Sequence, residues 1–183
     1  EDGEGNIWVG SSSTLIRMRA DDSTWRSWQM EAMPNLNAAA LFVDREKRLW
    51  VGTFGGELYV SENGSFTRIA GNLLPSIRPY AIYQTRNNEL WVGGIFGAAR
   101  IVGGTVQRFD TTHGLPQRGV WCFAEDMYGN FWIGTADGLY RLQRLGAAIR
   151  FQKERSLGDA VVYDMCLDAE GNLWLASDPG LRK

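Results

Sequence analysis

An all-β fold, a run of about four to five four-stranded β-propeller blades, is predicted by three periodic features of the sequence. Trp8, Trp50, Trp91, Trp132 and Trp174 recur at intervals of 42, 41, 41 and 42 residues, inside the strings GNIWVGS, KRLWVGT, NELWVGG, GNFWIGT and GNLWLAS. Six residues before each Trp stand Asp2, Asp44, Thr85, Asp126 and Asp168, and six after it stand Thr14, Gly56, Gly97, Gly138 and Gly180. Between these marks lie short apolar runs bounded by Gly and Asn, with no helical period sustained over a turn or two. Four short strands repeated every 40 or so residues is the pattern of propeller blades.

Each unit supplies four segments, a to d in chain order, clearest in the fourth copy. Segment a is Val120 to Glu125, and a turn at Tyr128, Gly129 and Asn130 follows, where Gly and Asn admit positive φ. Segment b is Phe131 to Thr135. Its apolar residues alternate little, as in a strand covered on both faces. A turn through Ala136, Asp137 and Gly138 leads to c, Leu139 to Leu142, and d holds Ile149 to Phe151. The conserved register of the acidic residue suggests a side chain that caps the amides of the a–b turn, since one carboxylate per turn is too few oxygens for calcium.

A lone four-stranded sheet cannot cover both of its faces; blades stacked around an axis cover each other. The repeated Trp is expected to wedge between neighbouring sheets, burying ~150–250 Å², and Trp132→Ala is expected to cost ~3–5 kcal/mol. The Gly two residues after the Trp (Gly10, Gly52, Gly93, Gly134; Ala176 in the last copy) is expected to let a neighbouring backbone approach.

Composition narrows the partners. With 19 basic and 21 acidic residues and a formal charge of -2, no basic stripe points to nucleic acid and no charged tail to a membrane surface. No apolar stretch approaches the ~18 residues that span a bilayer, so no direct membrane contact is expected of this segment. Two cysteines and one histidine cannot make a disulfide framework or a zinc site. Cys122 and Cys166 read as two buried thiols on neighbouring strands a. No metal, no cofactor and no catalytic residue is assigned.

The stretch from Gly114 to Leu142, GLPQRGVWCFAEDMYGNFWIGTADGLYRL, resembles the repeat of the two-component regulator propeller family, and the resemblance extends in five registers over nearly the whole chain. The Leu90 copy departs most, with Thr85 for the Asp and Ala98 for the Leu after Gly, and the Arg45 to Leu49 turn lacks the Gly-Asn pair. The resemblance implies the periplasmic or otherwise extracytoplasmic sensor region of a bacterial signalling receptor. Such regions carry seven-bladed propellers, and their full-length receptors carry a histidine kinase, or sometimes a diguanylate cyclase, as output. The family also implies carbohydrate sensing and a second receptor copy or neighbouring blades as partners.

By register, the blades span approximately 1–28 (partial), 38–69, 79–109, 120–152 and 161–183 (partial), an arc expected to belong to a larger, seven-bladed ring. In a propeller the b–c turns and d–a connections share one rim, where loops vary on a rigid scaffold. Here that rim holds Phe54, Arg78, Phe96, His113, Gln117, Arg118 and Asp137. Aromatic faces with Arg, Gln and Asp groups suit a carbohydrate or other small polar ligand; ordinary solvated turn residues are the competing reading. Trp25 and Trp28 fall on strand d, where outer-edge packing competes with a surface platform. His113 has no nucleophile or second His beside it in sequence, so it reads as a loop residue. A ligand-sensing module without chemistry of its own leads the functional readings; a protein-interaction scaffold and a propeller enzyme are the alternatives.

Overall fold

The computed structural model describes residues 1–2, 4–19, 25–28, 37–62, 65–69, 77–178 and 180–183, with the side chains of 25–28 excepted. Five antiparallel sheets follow one another along the chain as an open arc of propeller blades. Sheet 1 is β1 (Asn6–Gly10), β2 (Leu15–Arg19) and β3 (Trp25–Trp28). Sheet 2 is β4 (Ala38–Val43), β5 (Leu49–Thr53), β6 (Leu58–Glu62) and β7 (Ser65–Ile69). Sheet 3 is β8 (Pro79–Gln84), β9 (Leu90–Gly94), β10 (Gly97–Val102) and β11 (Thr105–Phe109). Sheet 4 is β12 (Val120–Glu125), β13 (Phe131–Thr135), β14 (Gly138–Leu145) and β15 (Ala148–Lys153), and sheet 5 is β16 (Val162–Leu167), β17 (Leu173–Ser177) and β18 (Gly180–Arg182). Each is a meander in which every strand pairs with the next. The sheets meet chiefly through their first strands, β4 on β8, β8 on β12 and β12 on β16, so strand a is innermost.

The Trp wedge is present, and its depth varies along the arc. Trp91 is fully buried among Phe109 of its own sheet and Phe123, Phe131 and Phe151 of the next. Trp50 lies with Leu90, Val92 and Ala99 of the following sheet. Trp8 and Trp132 are half-buried against sheets 2 and 5. Trp174, in sheet 5, is half-buried with Lys183 over its ring.

The acidic register has two duties, of which sequence showed one. Asp126 Oδ1 accepts from the amides of Tyr128 and Asn130 at 2.9 and 2.8 Å, which caps the a–b turn as expected. Its Oδ2 accepts from the indole of Trp132 at 2.9 Å. The same indole bond joins Trp8 to Asp2, Trp50 to Asp44 and Trp174 to Asp168, at 2.7, 2.7 and 2.8 Å. One carboxylate thus ties the turn to the wedge.

The interface glycines also need a correction: what comes close is a side chain of the next blade rather than its backbone. A Cβ on Gly10 would lie 2.6 Å from Ala38 Cβ, one on Gly52 2.6 Å from Pro79 Cβ, and one on Gly93 2.5 Å from Val120 Cγ1. On Gly134 it would meet first Cys122 Sγ of its own sheet at 2.3 Å and then Val162 Cγ1 of the next at 2.8 Å. Ala38, Pro79, Val120 and Val162, the first residues of strand a in sheets 2 to 5, press on strand b of the preceding sheet, and any side chain on these glycines would separate the blades.

The cysteines are both free, but only Cys122 is buried; Cys166 is exposed. Cys122 is the third residue of β12, whereas Cys166 is the fifth of β16. Cys122 is covered by Val162 of the next sheet, which pushes its thiol up to about 12 by burial.

Candidate ligand-binding rim

The rim of b–c turns and d–a connections is shaped by a repeated irregularity of strand a. The ladder between strands a and b slips one residue at its start in four sheets, between Ala38 and Ala40, Pro79 and Ala81, Val120 and Cys122, and Val162 and Asp164. The residues left unpaired are Ala39, Tyr80, Trp121 and Tyr163. A bulge re-aims the side chain it carries. Three of the four are aromatic, placed at the inner end of the rim.

Two of these rings join a residue singled out from sequence. Phe54, in the b–c turn of sheet 2, meets Tyr80 edge-on with centroids 5.6 Å apart, and Tyr80 meets Trp121 at 5.1 Å. A continuous aromatic row therefore crosses three blades. Phe54 keeps 41% of its surface in solvent. The indole nitrogen of Trp121 is buried with no hydrogen-bond partner, the one such side-chain atom among the described residues. Tyr163, the corresponding residue of sheet 5, is 55% exposed, and its phenol donates to Asp178 Oδ2 at 3.1 Å, which pushes its pKa up.

The other predicted rim residues divide into two groups. Arg78, Gln117 and Arg118 are exposed in the loops that lead into β8 and β12, beside the aromatic row in sequence. Arg78 holds a left-handed φ of 47°, and the carbonyls of Ile77 and Arg78 lie against Gly94, where a Cβ would approach to 2.0 and 2.3 Å. Phe96 is exposed in the b–c turn of sheet 3 and stands apart from the ring row.

Asp137 and His113 are already engaged by neighbours. Asp137 Oδ2 accepts from Lys153 Nζ and from the Tyr140 phenol, each at 3.2 Å, and Lys153 also pairs with Asp159. Burial pushes the Tyr140 phenol up to about 12, against the pull of Lys153, while the bond to Asp159 holds the Lys153 ammonium above its ordinary range. His113 sits on a short 3-10 turn, Thr111–His113, that Asp110 caps through the amide of Thr112 at 2.9 Å. The imidazole turns back to Asp110 Oδ1 at 3.2 Å and packs edge-on against Phe109 at 5.2 Å. These bonds hold the d–a loop in shape. Trp25 and Trp28 lie on β3, but their side chains fall outside the described residues.

Sequence reasoning thus found the loops of this rim and missed Tyr80, Trp121 and Tyr163. The available signal was their own register, since they too recur every 41 or 42 residues, at the second place of strand a.

The stacked sheets and the loop-built inner rim define a β-propeller. Three segments, residues 32–55, 114–137 and 156–178, match the family model described as two component regulator propeller. The extracellular domain of the hybrid two component system BT4673 from B. thetaiotaomicron is similar in structure, with a TM-score of 0.81 at 20% identity. That of BT3049 from the same organism gives 0.78 at 20%. Each match covers 99% of this chain and 26% of the receptor domain, so the chain spans only a minor part of those domains. Virginiamycin B lyase from Staphylococcus aureus matches at a TM-score of 0.74 and 15% identity, over 95% of this chain and 60% of the lyase. At these identities the likeness is one of fold. A comparison with curated proteins finds no match.

Proposed function

We propose that this chain is part of the extracytoplasmic sensor region of a bacterial two-component receptor. In this reading it binds a small polar ligand, a carbohydrate foremost, on the b–c and d–a rim, without catalysing a reaction. The observation that carries it is the row Phe54, Tyr80 and Trp121 at the inner rim, with exposed Arg78 and Arg118 in the adjoining loops. Aromatic faces with a few polar groups on a rigid scaffold are what a saccharide site requires. The match of three segments to the two component regulator propeller model supports the receptor setting. Signalling then follows if the ligand binds one receptor arrangement better than another, because a ligand moves an equilibrium only by its differential affinity.

The test is a glycan array followed by calorimetry on the chain and on its Arg78→Ala, Arg118→Ala double variant. Binding that weakens in the variant is expected. Affinity unchanged by the double substitution excludes this rim.

A further inference from the structure

The geometry points to a carboxylated saccharide as the ligand class of this rim, with a sugar ring over the Tyr80–Trp121 row and its carboxylate held by Arg78 and Arg118; this rests on the rim reading above. Three observations lead there. The first is the row itself, which extends from the b–c turn of sheet 2 to the first strand of sheet 4. Tyr80 and Trp121 pack at a tilt of 46° and both keep part of their surface in solvent, and a pyranose covers such a surface with its C–H groups.

The second is the balance of charge along the rim. In the sector of sheets 3 and 4, Arg78 and Arg118 are exposed and make no ion pair or hydrogen bond among the described residues. Several acids of the same rim are held by local bonds. Asp137 and Asp159 share Lys153, Asp110 accepts from Thr112 and His113, Glu57 pairs with Arg68, and Asp178 takes the Tyr163 phenol. The charged groups that flank Tyr80 and Trp121 in the loops leading into β8 and β12 are thus two guanidinium groups without a partner among the described residues, and a guanidinium grips a carboxylate through two parallel bonds.

The third is the unsatisfied indole of Trp121. A buried donor without an acceptor marks a place where the structure is not at its own optimum. Gly119 packs closely against this ring, since a Cβ there would stand 3.1 Å from Trp121 Cζ2 and Cη2. A small rotation of the indole would bring its N–H to an oxygen of a ligand seated on the row.

The experiment compares tetragalacturonate with the neutral galactotetraose, by calorimetry at one ionic strength. The acidic probe is expected to bind the chain at least about tenfold more tightly than the neutral one, as a charged hydrogen bond predicts. Arg78→Gln with Arg118→Gln is expected to remove that difference by lowering the acidic affinity to that of the neutral probe. Tyr80→Ala is expected to weaken both probes together. Should Tyr80→Ala fail to fold, the Arg pair, both exposed, carries the test alone. Equal affinity for the two probes overturns the inference and leaves the rim reading standing. No binding of either probe overturns the inference, and the array then decides the rim reading separately.

Discussion

Sheets 3 and 4 are neighbours with the same topology, yet they hold their wedge by different chemistry. Sheet 4 follows the repeat closely: Asp126 caps the turn and accepts the Trp132 indole. Sheet 3 has Thr85 there, and the duties are divided. Thr85 Oγ1 accepts from the Glu89 amide at 3.1 Å, and Glu89 Oε2 accepts from the Trp91 indole at 3.3 Å. The backbone of the two turns is nonetheless the same, with Thr85 N to Glu89 O at 2.9 Å matching Asp126 N to Asn130 O at 3.0 Å. Glu89 also takes Arg100 of its own sheet and Arg144 of sheet 4, at 3.0 and 2.6 Å. The departure from the repeat turns a pin within one blade into a bridge between two. The turn backbone is what the blade requires; the carboxylate can sit at either end of it.

Burial separates the two sheets further and sets the largest expected effect. Trp91 is fully buried with rings on several sides, while Trp132 is half-buried with Arg141 above it. Trp91→Ala should cost about 4–5 kcal/mol, and Trp132→Ala about 3 kcal/mol, the lower end of what the sequence led us to expect. Equilibrium denaturation of both variants measures this. Equal losses would show that the wedge is insensitive to depth, and a loss below about 1 kcal/mol for Trp132 would remove its wedge role.

The interface glycines give a second, smaller contrast. In sheet 3 a side chain on Gly93 strikes Val120 and Phe123 of the next blade; in sheet 4 one on Gly134 strikes first Cys122, on the strand it pairs with. Gly93→Ala and Gly134→Ala should each cost about 1–3 kcal/mol by overpacking. Adding Cys122→Ala should recover part of the Gly134→Ala loss and none of the Gly93→Ala loss, read as a double-mutant coupling. A recovery at both positions, or at neither, would mean that the blades yield as whole bodies.

Much of this architecture was legible because it is periodic. The Trp register located strand b of every sheet, and the acidic register correctly implied a capped turn. What was illegible depends on a single slipped residue or on the next blade. A bulge leaves no mark in an apolar run, so Tyr80 and Trp121 read as ordinary strand residues although they form the row with Phe54. Cys166 read as a buried thiol like Cys122, but Cys122 owes its burial to the sheet that follows it, and among the described residues no further sheet follows Cys166. Glu89 had no motif to announce it: its role exists only because Thr85 lacks a carboxylate. Of the rim residues, the loops were readable from topology, but whether Asp137 and His113 were committed to local bonds was set by Lys153 and Asp110, which no spacing rule connects to them.

The smallest effect concerns acid. Burial alone would raise the Asp126 carboxyl, but the bonds from Trp132 and Asn130 outweigh it and hold the group below its ordinary value; similar bonds bring Asp2 and Asp168 down to about 2. A carboxyl depressed on folding binds its proton more readily in the unfolded chain, whose Asp titrates near ~3.9. Its stabilisation is therefore complete above about pH 4–5 and is lost as pH falls through the lower folded value. Asp126→Asn should cost about 1–2 kcal/mol at neutral pH, because the amide nitrogen cannot accept from the Trp132 indole, and the cost should shrink toward zero near pH 2. The reverse exchange in the neighbouring sheet, Thr85→Asp, should steepen the acid dependence of unfolding, since it adds a carboxylate within reach of the turn amides. Unfolding midpoints from pH 2 to 6 for the three proteins read both changes; an Asp126→Asn loss that stays constant down to pH 2 would show that Asp126 acts by shape and hydrogen bonding without its charge.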